Sequence, residues 1–290
     1  MTAPRDTAWL QLRDLRVEYG PAGAPAVHVD ELALDKGEFL GLAGESGAGK
    51  TTVGLTVLGL SRRAGARVTG SVRLAGEELL SAPERRLRQL RGSTLALIPQ
   101  NPAAAFSPVL PVGVTVLRTL RLHGCTRAEA RLRAAAALER VGLPAGHLAR
   151  YPHQLSGGQL QRVAIALASA LRARLLIADE PTSALDVTAQ AQICTLLTEL
   201  RAAHGTAVFF ISHDLALLAG LCDRIAVLHQ GRVVEDRPAV DLVSAPRADR
   251  TVRLLAAAPW LGGPWASGPE DGAGTEPGTG TGTERDEGTA

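Results

Sequence analysis

The chain has 290 residues, 46% of them apolar, a formal net charge of +2 and three cysteines. That length carries one large domain or two small ones, and no run approaches the ~20 apolar residues of a membrane span. Cys125, Cys194 and Cys222 form no C-x-x-C pair, which argues against a disulfide framework or a zinc site and fits a reducing cytoplasm. The first residues, Met1 to Asp6, contain no apolar h-region, so no secretory signal is expected. Residues 262–290 hold six acids (Glu270, Asp271, Glu276, Glu284, Asp286, Glu287) against one base, Arg285. The rest of the chain is therefore basic, as suits a nucleotide or an anionic membrane face, and equally many soluble domains.

Trp9 to Tyr19 alternates apolar and polar residues, and Val27 to Leu34 does so again. These are predicted antiparallel strands joined through Gly20-Pro21-Ala22-Gly23. Tyr19 closes the first; its ring has two readings, a stacking face for a base or a sheet-rim aromatic. A short apolar run, Glu38 to Ala43, then leads into Gly44-Glu45-Ser46-Gly47-Ala48-Gly49-Lys50-Thr51-Thr52 and a helix, Val53 to Leu60. Strand, glycine loop and helix place a G-x-x-x-x-G-K-[ST] motif in its expected context. The glycines let backbone N–H groups curl inward as a nest for phosphate oxygens, with the positive end of the helix behind them. Lys50 is expected to reach the β- and γ-phosphates of a nucleotide and the Thr51 hydroxyl to ligate Mg²⁺. The plain alternative is a glycine-rich turn with a surface lysine. Composition weighs against it: Lys36 and Lys50 are the only lysines among 31 basic residues, and a planar guanidinium is too bulky for a nest between phosphates.

Val68 to Leu74 is a predicted strand ending in Ala75-Gly76, and Arg85 to Leu90 is a predicted helix. Thr94 to Ile98 is a short buried strand stopping at Pro99-Gln100-Asn101-Pro102. Gln100, at a strand end between prolines, can reach a metal or an attacking water, or act as a capping amide. Arg127 to Val141 is an alanine-rich, arginine-studded helix. Leu155-Ser156-Gly157-Gly158-Gln159 opens a long helix, Leu160 to Leu171. Ser156 suits an N-cap, and the glycines beside it expose N–H groups: a second anion-binding helix start, or a plain cap.

Leu175 to Asp179-Glu180 is an apolar strand ending in two carboxylates. Such a run fits a central parallel strand, and its C-terminal end is where open α/β sheets bind ligands. Asp179 fits a Mg²⁺-linked role and Glu180 a base that polarises water; a helix-capping acid pair is the bland reading. Pro181 to Asp186 is a tight turn before a helix, Thr188 to Ala203. Thr206 to Ile211 is another buried strand, with His213 beyond its end; a lone histidine is usually structural, but one on the same sheet edge as Asp179 and Glu180 is better placed to touch a γ-phosphate. Ile225 to Leu228 and Val233-Val234 form a hairpin, Pro238 to Ala257 a helical appendage, and residues 258–290 a glycine-, proline- and threonine-rich acidic tail, expected to be disordered.

In this order, the motifs resemble the ATP-binding subunit of an ABC transporter over residues 9–257. They are the phosphate loop, the Q-loop at Gln100, the signature Leu155 to Gln159, the Walker B run with Glu180, the D-loop Ser183-Ala184-Leu185-Asp186 and the switch His213. The resemblance implies an α/β fold, a P-loop NTPase cassette. It would have a RecA-like core, an antiparallel β subdomain and an α-helical signature subdomain at about 102–170. It implies ATP and Mg²⁺ as ligands, with Tyr19 stacking on adenine. Two cassettes would pack head to tail, so that Ser156, Gly157, Gly158 and Gln159 of one, with Asp186, face the nucleotide held by the other. Glu180 would activate water, His213 would bridge to the γ-phosphate, and Gln100 would sense Mg²⁺ beside the groove for a membrane partner. The implied partners are a second cassette, two membrane permease subunits and, indirectly, an extracellular binding protein, at the cytoplasmic face of the plasma membrane; nucleic acid is not implied.

A narrower likeness is to the peptide/nickel importer ATPases. Gln100-Asn101-Pro102-Ala103-Ala104-Ala105-Phe106-Ser107-Pro108 looks like their Q-N/D-P-x-x-x-L-N-P run, with Phe106 and Ser107 in place of Leu and Asn. Ser244-Ala245-Pro246 and Thr251 to Leu255 resemble their C-terminal segment, although Arg247 to Arg250 lacks the His-Pro-Tyr. Two other readings compete: a non-transport ABC ATPase acting on ribosomes or DNA, and an exporter subunit. A single phosphate loop, a single signature and no long insertion weigh against the first. The importer-like Q-loop run weighs against the second.

Overall fold

The computed structural model describes residues 8–20 and 25–257. The Pro21 to Gly23 connection and the whole 258–290 tail lie outside them. In chain order the strands and helices are β1 (Leu10–Glu18), β2 (Pro25–Leu34), β3 (Phe39–Gly44), α1 (Lys50–Val57), β4 (Arg67–Leu74), β5 (Glu77–Glu78), α2 (Glu84–Leu90) and β6 (Leu95–Ile98). Three helices follow, α3 (Val112–Leu122), α4 (Arg127–Arg140) and α5 (Gly157–Leu171). The chain then runs through β7 (Leu175–Asp179), α6 (Val187–His204), β8 (Ala207–Ser212), α7 (Leu215–Leu221), β9 (Arg224–His229), β10 (Arg232–Pro238), α8 (Ala239–Ser244) and α9 (Asp249–Ala257).

Two sheets form. The smaller has the order β2-β1-β4-β5 and is antiparallel. The larger has the order β10-β9-β3-β8-β7-β6, with β9, β3, β8, β7 and β6 parallel and β10 antiparallel at one edge. Its central strands β3, β7 and β8 are buried along their whole length, as their unbroken apolar runs require of a parallel sheet covered on both faces. Side-chain alternation then feeds two cores. Phe39, Ala43, Val208 and Phe210 join α3 to α7 on one face. Leu40, Leu42, Phe209 and Ile211 join α1 and the antiparallel sheet on the other. This α/β arrangement agrees with the sequence reading.

Most predicted elements fall within a residue or two of their expected ends. Helix α3 was absent from the sequence reading because Val112-Gly113-Val114-Thr115-Val116 is poor in helix formers. Tertiary packing overrides that preference: Val112, Val116 and Leu120 are buried against the neighbouring helices. The appendage after Pro238 divides into two helices, with Ala245 to Ala248 between them.

One buried ion cluster joins the layers. Arg224 of β9, 4% exposed, donates from Nε to Glu38 Oε1 over 2.9 Å and from Nη1 to Asp236 Oδ1 over 2.6 Å, and its Nη2 donates to the Ala33 carbonyl. One side chain thus connects the β2–β3 turn, β9 and β10. Burial alone would lower its pKa, yet the two carboxylates more than compensate and hold it above the ordinary arginine range.

Candidate active site

The C-terminal ends of β3, β6, β7 and β8 lie along one edge of the larger sheet, and the chemistry-bearing residues follow from them. Leaving β3, the loop Gly44 to Gly49 turns tightly into α1. Gly49 has a φ of +102°, and a Cβ there would lie 2.7 Å from the Ala26 carbonyl oxygen. The loop therefore needs glycine both for its turn and for its contact with the β1–β2 hairpin. That contact places the hairpin end against the phosphate loop. Glu18 pairs with Pro25, next to Ala26, and Tyr19 is the following residue, 39% exposed.

Lys50 opens α1 and is 5% exposed. Its Nζ donates to the carbonyls of Gly44 (2.8 Å) and Glu45 (3.0 Å) and stands 3.9 Å from Glu180 Oε1. Burial pulls its pKa below the ordinary lysine range, while Glu180 and Asp179 oppose the shift. Thr51 Oγ1 donates to Asp179 Oδ1 over 3.0 Å. Burial pushes the Asp179 carboxyl up, the Thr51 bond works against it, and the neighbouring charge of Glu180 adds to it.

Glu180 follows β7 with a left-handed φ of +45°, a costly conformation for a non-glycine residue. Its backbone N–H donates to the Ile211 carbonyl over 2.9 Å, and its own carbonyl accepts from the Ser183 hydroxyl over 3.1 Å. The turn aims a largely buried carboxylate between two groups, with Oε1 toward Lys50 and Oε2 3.2 Å from His213 Nδ1. His213 itself sits between Ser212 and Asp214. Ser212 Oγ accepts from the Asp214 N–H, and Asp214 caps α7.

The sequence matches the family model described as ABC transporter over residues 27–183. The chain belongs to the ABC transporter family. Among curated relatives, the oligopeptide transport ATP-binding protein OppD of Salmonella typhimurium is 41% identical over 87% of this chain and 76% of its own length. The probable D,D-dipeptide transport ATP-binding protein DdpD of Escherichia coli is 42% identical over 80% of this chain and 72% of its own. Among solved structures, a dimeric ATP-binding cassette in a post-hydrolysis state, bound to ADP and Pi, is similar with a TM-score of 0.72. It is 28% identical, covering 79% of this chain and 98% of that one.

In this ABC cassette the remaining motifs occupy a second cluster. Ser156 caps α5 reciprocally: its hydroxyl accepts from the Gln159 N–H (3.2 Å), while its N–H donates to Gln159 Oε1 (3.0 Å). A Cβ on Gly158 would lie 3.1 Å from the Ala184 carbonyl oxygen, whereas Gly157 faces open space. Asp186 caps α6 through the Ala189 N–H and pairs with Arg162 of α5 at 3.6 Å. The structure thus brings Ser156 to Gln159 beside Ser183 to Asp186, and Lys50 and Thr51 beside Asp179, Glu180 and His213. Gln100 is exposed just beyond β6.

Sequence reasoning missed Gln161. This side chain is 1% exposed, and its Nε2 donates to the Pro99 carbonyl over 3.2 Å, anchoring α5 to the residue before Gln100. The available signal was its place one helical turn before the fully buried Ile165. It also missed Arg250 of α9, which forms an ion pair with Glu45 of the phosphate loop.

Proposed function

We propose that the chain is the ATP-hydrolysing, energy-coupling subunit of an ABC importer for peptides. The observation that carries the reading is the convergence of Lys50, Thr51, Asp179, Glu180 and His213 at one sheet edge. Kinship with peptide-transport ATP-binding proteins at about this identity supports the substrate class.

In this reading each residue of the edge has a role. The nest from Gly44 to Thr52 takes the β- and γ-phosphates of ATP, with Lys50 at their charge. Burial disfavours the Lys50 ammonium charge, and phosphate oxygens would supply anionic partners that favour it. Thr51, Asp179 and Gln100 supply a hard oxygen set with a single carboxylate, which suits Mg²⁺ held jointly with phosphate. When bound, that ion neutralises charge on the transferring phosphoryl group. Glu180, aimed by its left-handed turn, orients or deprotonates the attacking water, and His213 holds the far side of the carboxylate and reaches the γ-phosphate. Tyr19 stacks on the adenine.

A second cassette completes the arrangement. Ser156, Gly157, Gly158 and Gln159, with Asp186, face the nucleotide of a partner packed head to tail. The open space at Gly157 supports this reading, as does similarity to a dimeric cassette. ATP binding closes the pair and hydrolysis reopens it. Two permease subunits receive that motion at the cytoplasmic face of the membrane, and an external binding protein delivers the peptide. None of the described helices is long and apolar enough to cross a membrane. Residues 9–257 constitute the cassette, with the signature subdomain at about 102–170.

The test is uptake by cells with and without the gene, given labelled short peptides and radioactive nickel in parallel. Selective loss of peptide uptake is expected. Loss of nickel uptake alone would replace the substrate, and unchanged uptake of both would overturn the peptide/nickel importer reading while the ATPase assignment stood.

A further inference from the structure

The C-terminal segment runs back to the phosphate loop. Glu235 of β10, 7% exposed, accepts from the backbone N–H groups of Arg247 (2.9 Å) and Ala248 (3.0 Å), fixing the entry to α9. Thr251, on the first turn of α9, is fully buried. The β9–β10 turn also touches the loop, with the Gly231 N–H donating to the Ala48 carbonyl over 3.0 Å. From this anchored position the Arg250 guanidinium pairs with Glu45, and its Nε is buried without a partner.

Glu45 is the only acid between Gly44 and Thr52. A carboxylate inside a loop built to receive several negative charges opposes binding unless it is neutralised. Arg250 is the cation that faces it.

We propose that Arg250 is a positioning residue for the nucleotide site: by pairing with Glu45 it cancels the loop's one negative side chain and holds it clear of the phosphates, so that α9 sets nucleotide affinity. This rests on the reading of Gly44 to Thr52 as the ATP site. Loss of the arginine leaves an unpaired carboxylate beside the phosphates, and the penalty is paid in binding rather than in the chemical step.

The experiment measures binding of a fluorescent ATP analogue, with KM and kcat, for the full chain and for Arg250→Ala, Arg250→Lys, Glu45→Gln, the Arg250→Ala/Glu45→Gln pair and Lys50→Ala. Arg250→Ala is expected to weaken binding by about two- to fivefold at low salt, raising KM more than it lowers kcat, and the effect is expected to shrink in high salt. Arg250→Lys retains most of the affinity. The decisive result is the double variant, in which removing the Glu45 charge abolishes the penalty of losing Arg250. An equal penalty in both backgrounds would overturn the proposal, since it would mean that Arg250 acts by packing α9. So would unchanged binding in Arg250→Ala while Lys50→Ala abolishes binding. Undiminished binding in Lys50→Ala would overturn the nucleotide-site reading itself, a separable failure.

Discussion

Thr51 Oγ1 donates to Asp179 Oδ1 over 3.0 Å, joining the first turn of α1 to the end of β7 across 128 residues of sequence. The bond sets two oxygens side by side and opposes the rise in pKa that burial gives Asp179. Replacing Thr51 by Val keeps shape and volume but removes the hydroxyl. ATPase activity of Thr51→Val is expected to fall by about a hundredfold or more and to require far higher Mg²⁺, whereas Thr51→Ser retains most of it. A magnesium titration of the three proteins checks this, and equal curves would remove Thr51 from the metal set.

The position of Glu180 between Lys50 and His213 gives a sharper expectation. Glu180→Gln should still bind ATP and form a stable cassette pair, while turnover drops by about 10²–10⁴. Chromatographic size with ATP present, measured beside phosphate release, separates the two effects. Undiminished turnover would sink the assigned base.

The placement of the edge residues was legible because their motifs are local. Gly44 to Thr52, Leu155 to Gln159, and Asp179-Glu180 each announce a loop-to-helix start or a strand end within a few residues. The partners of Gln161 and Arg250 were not legible, because Pro99 and Glu45 are remote in sequence and nothing about a helical amide or arginine names its acceptor. Helix α3 was illegible for a different reason. Its β-branched opening argues locally against helix, and only the surrounding core decides the matter.

Arg224 supports the junction of β2, β9 and β10, and truncation strands two carboxylates and the Ala33 carbonyl. Arg224→Ala is expected to lower unfolding stability by about 3–5 kcal/mol, read from urea unfolding. A loss under about 1 kcal/mol would show that water replaces the guanidinium at little cost.

Acid sensitivity should have a contribution from Glu78 of β5. It accepts from the N–H groups of Val72 and Leu80, both at 3.0 Å, and from the Ser71 hydroxyl. Burial pushes its pKa up, but these bonds and nearby Arg73 outweigh burial and hold it below the ordinary glutamate range. A folded pKa below the unfolded one means that its stabilisation is present above the unfolded value and is lost as pH falls through the folded value. Glu78→Gln should cost about 1–2 kcal/mol at neutral pH and flatten the acid limb of the stability curve. Parallel acid limbs would contradict the assignment.

Thiol reactivity should separate cleanly. Burial pushes the Cys194 thiol up to about 11 and raises Cys222 well above the ordinary range, and both side chains are buried, whereas Cys125 is half-buried. One thiol per chain is expected to react quickly with a disulfide reagent at pH 8, the others only on unfolding.

Finally, the scarcity of lysine turns the phosphate loop into its own reporter. Lys36 is exposed on the turn before β3, and Lys50 is enclosed by the Gly44 and Glu45 carbonyls. An acylating reagent therefore meets only two side-chain amines. The extent of modification at Lys50, normalised to Lys36 by mass spectrometry, would report occupancy of the proposed nucleotide site in the unaltered chain. No label, engineered residue or purified partner is required.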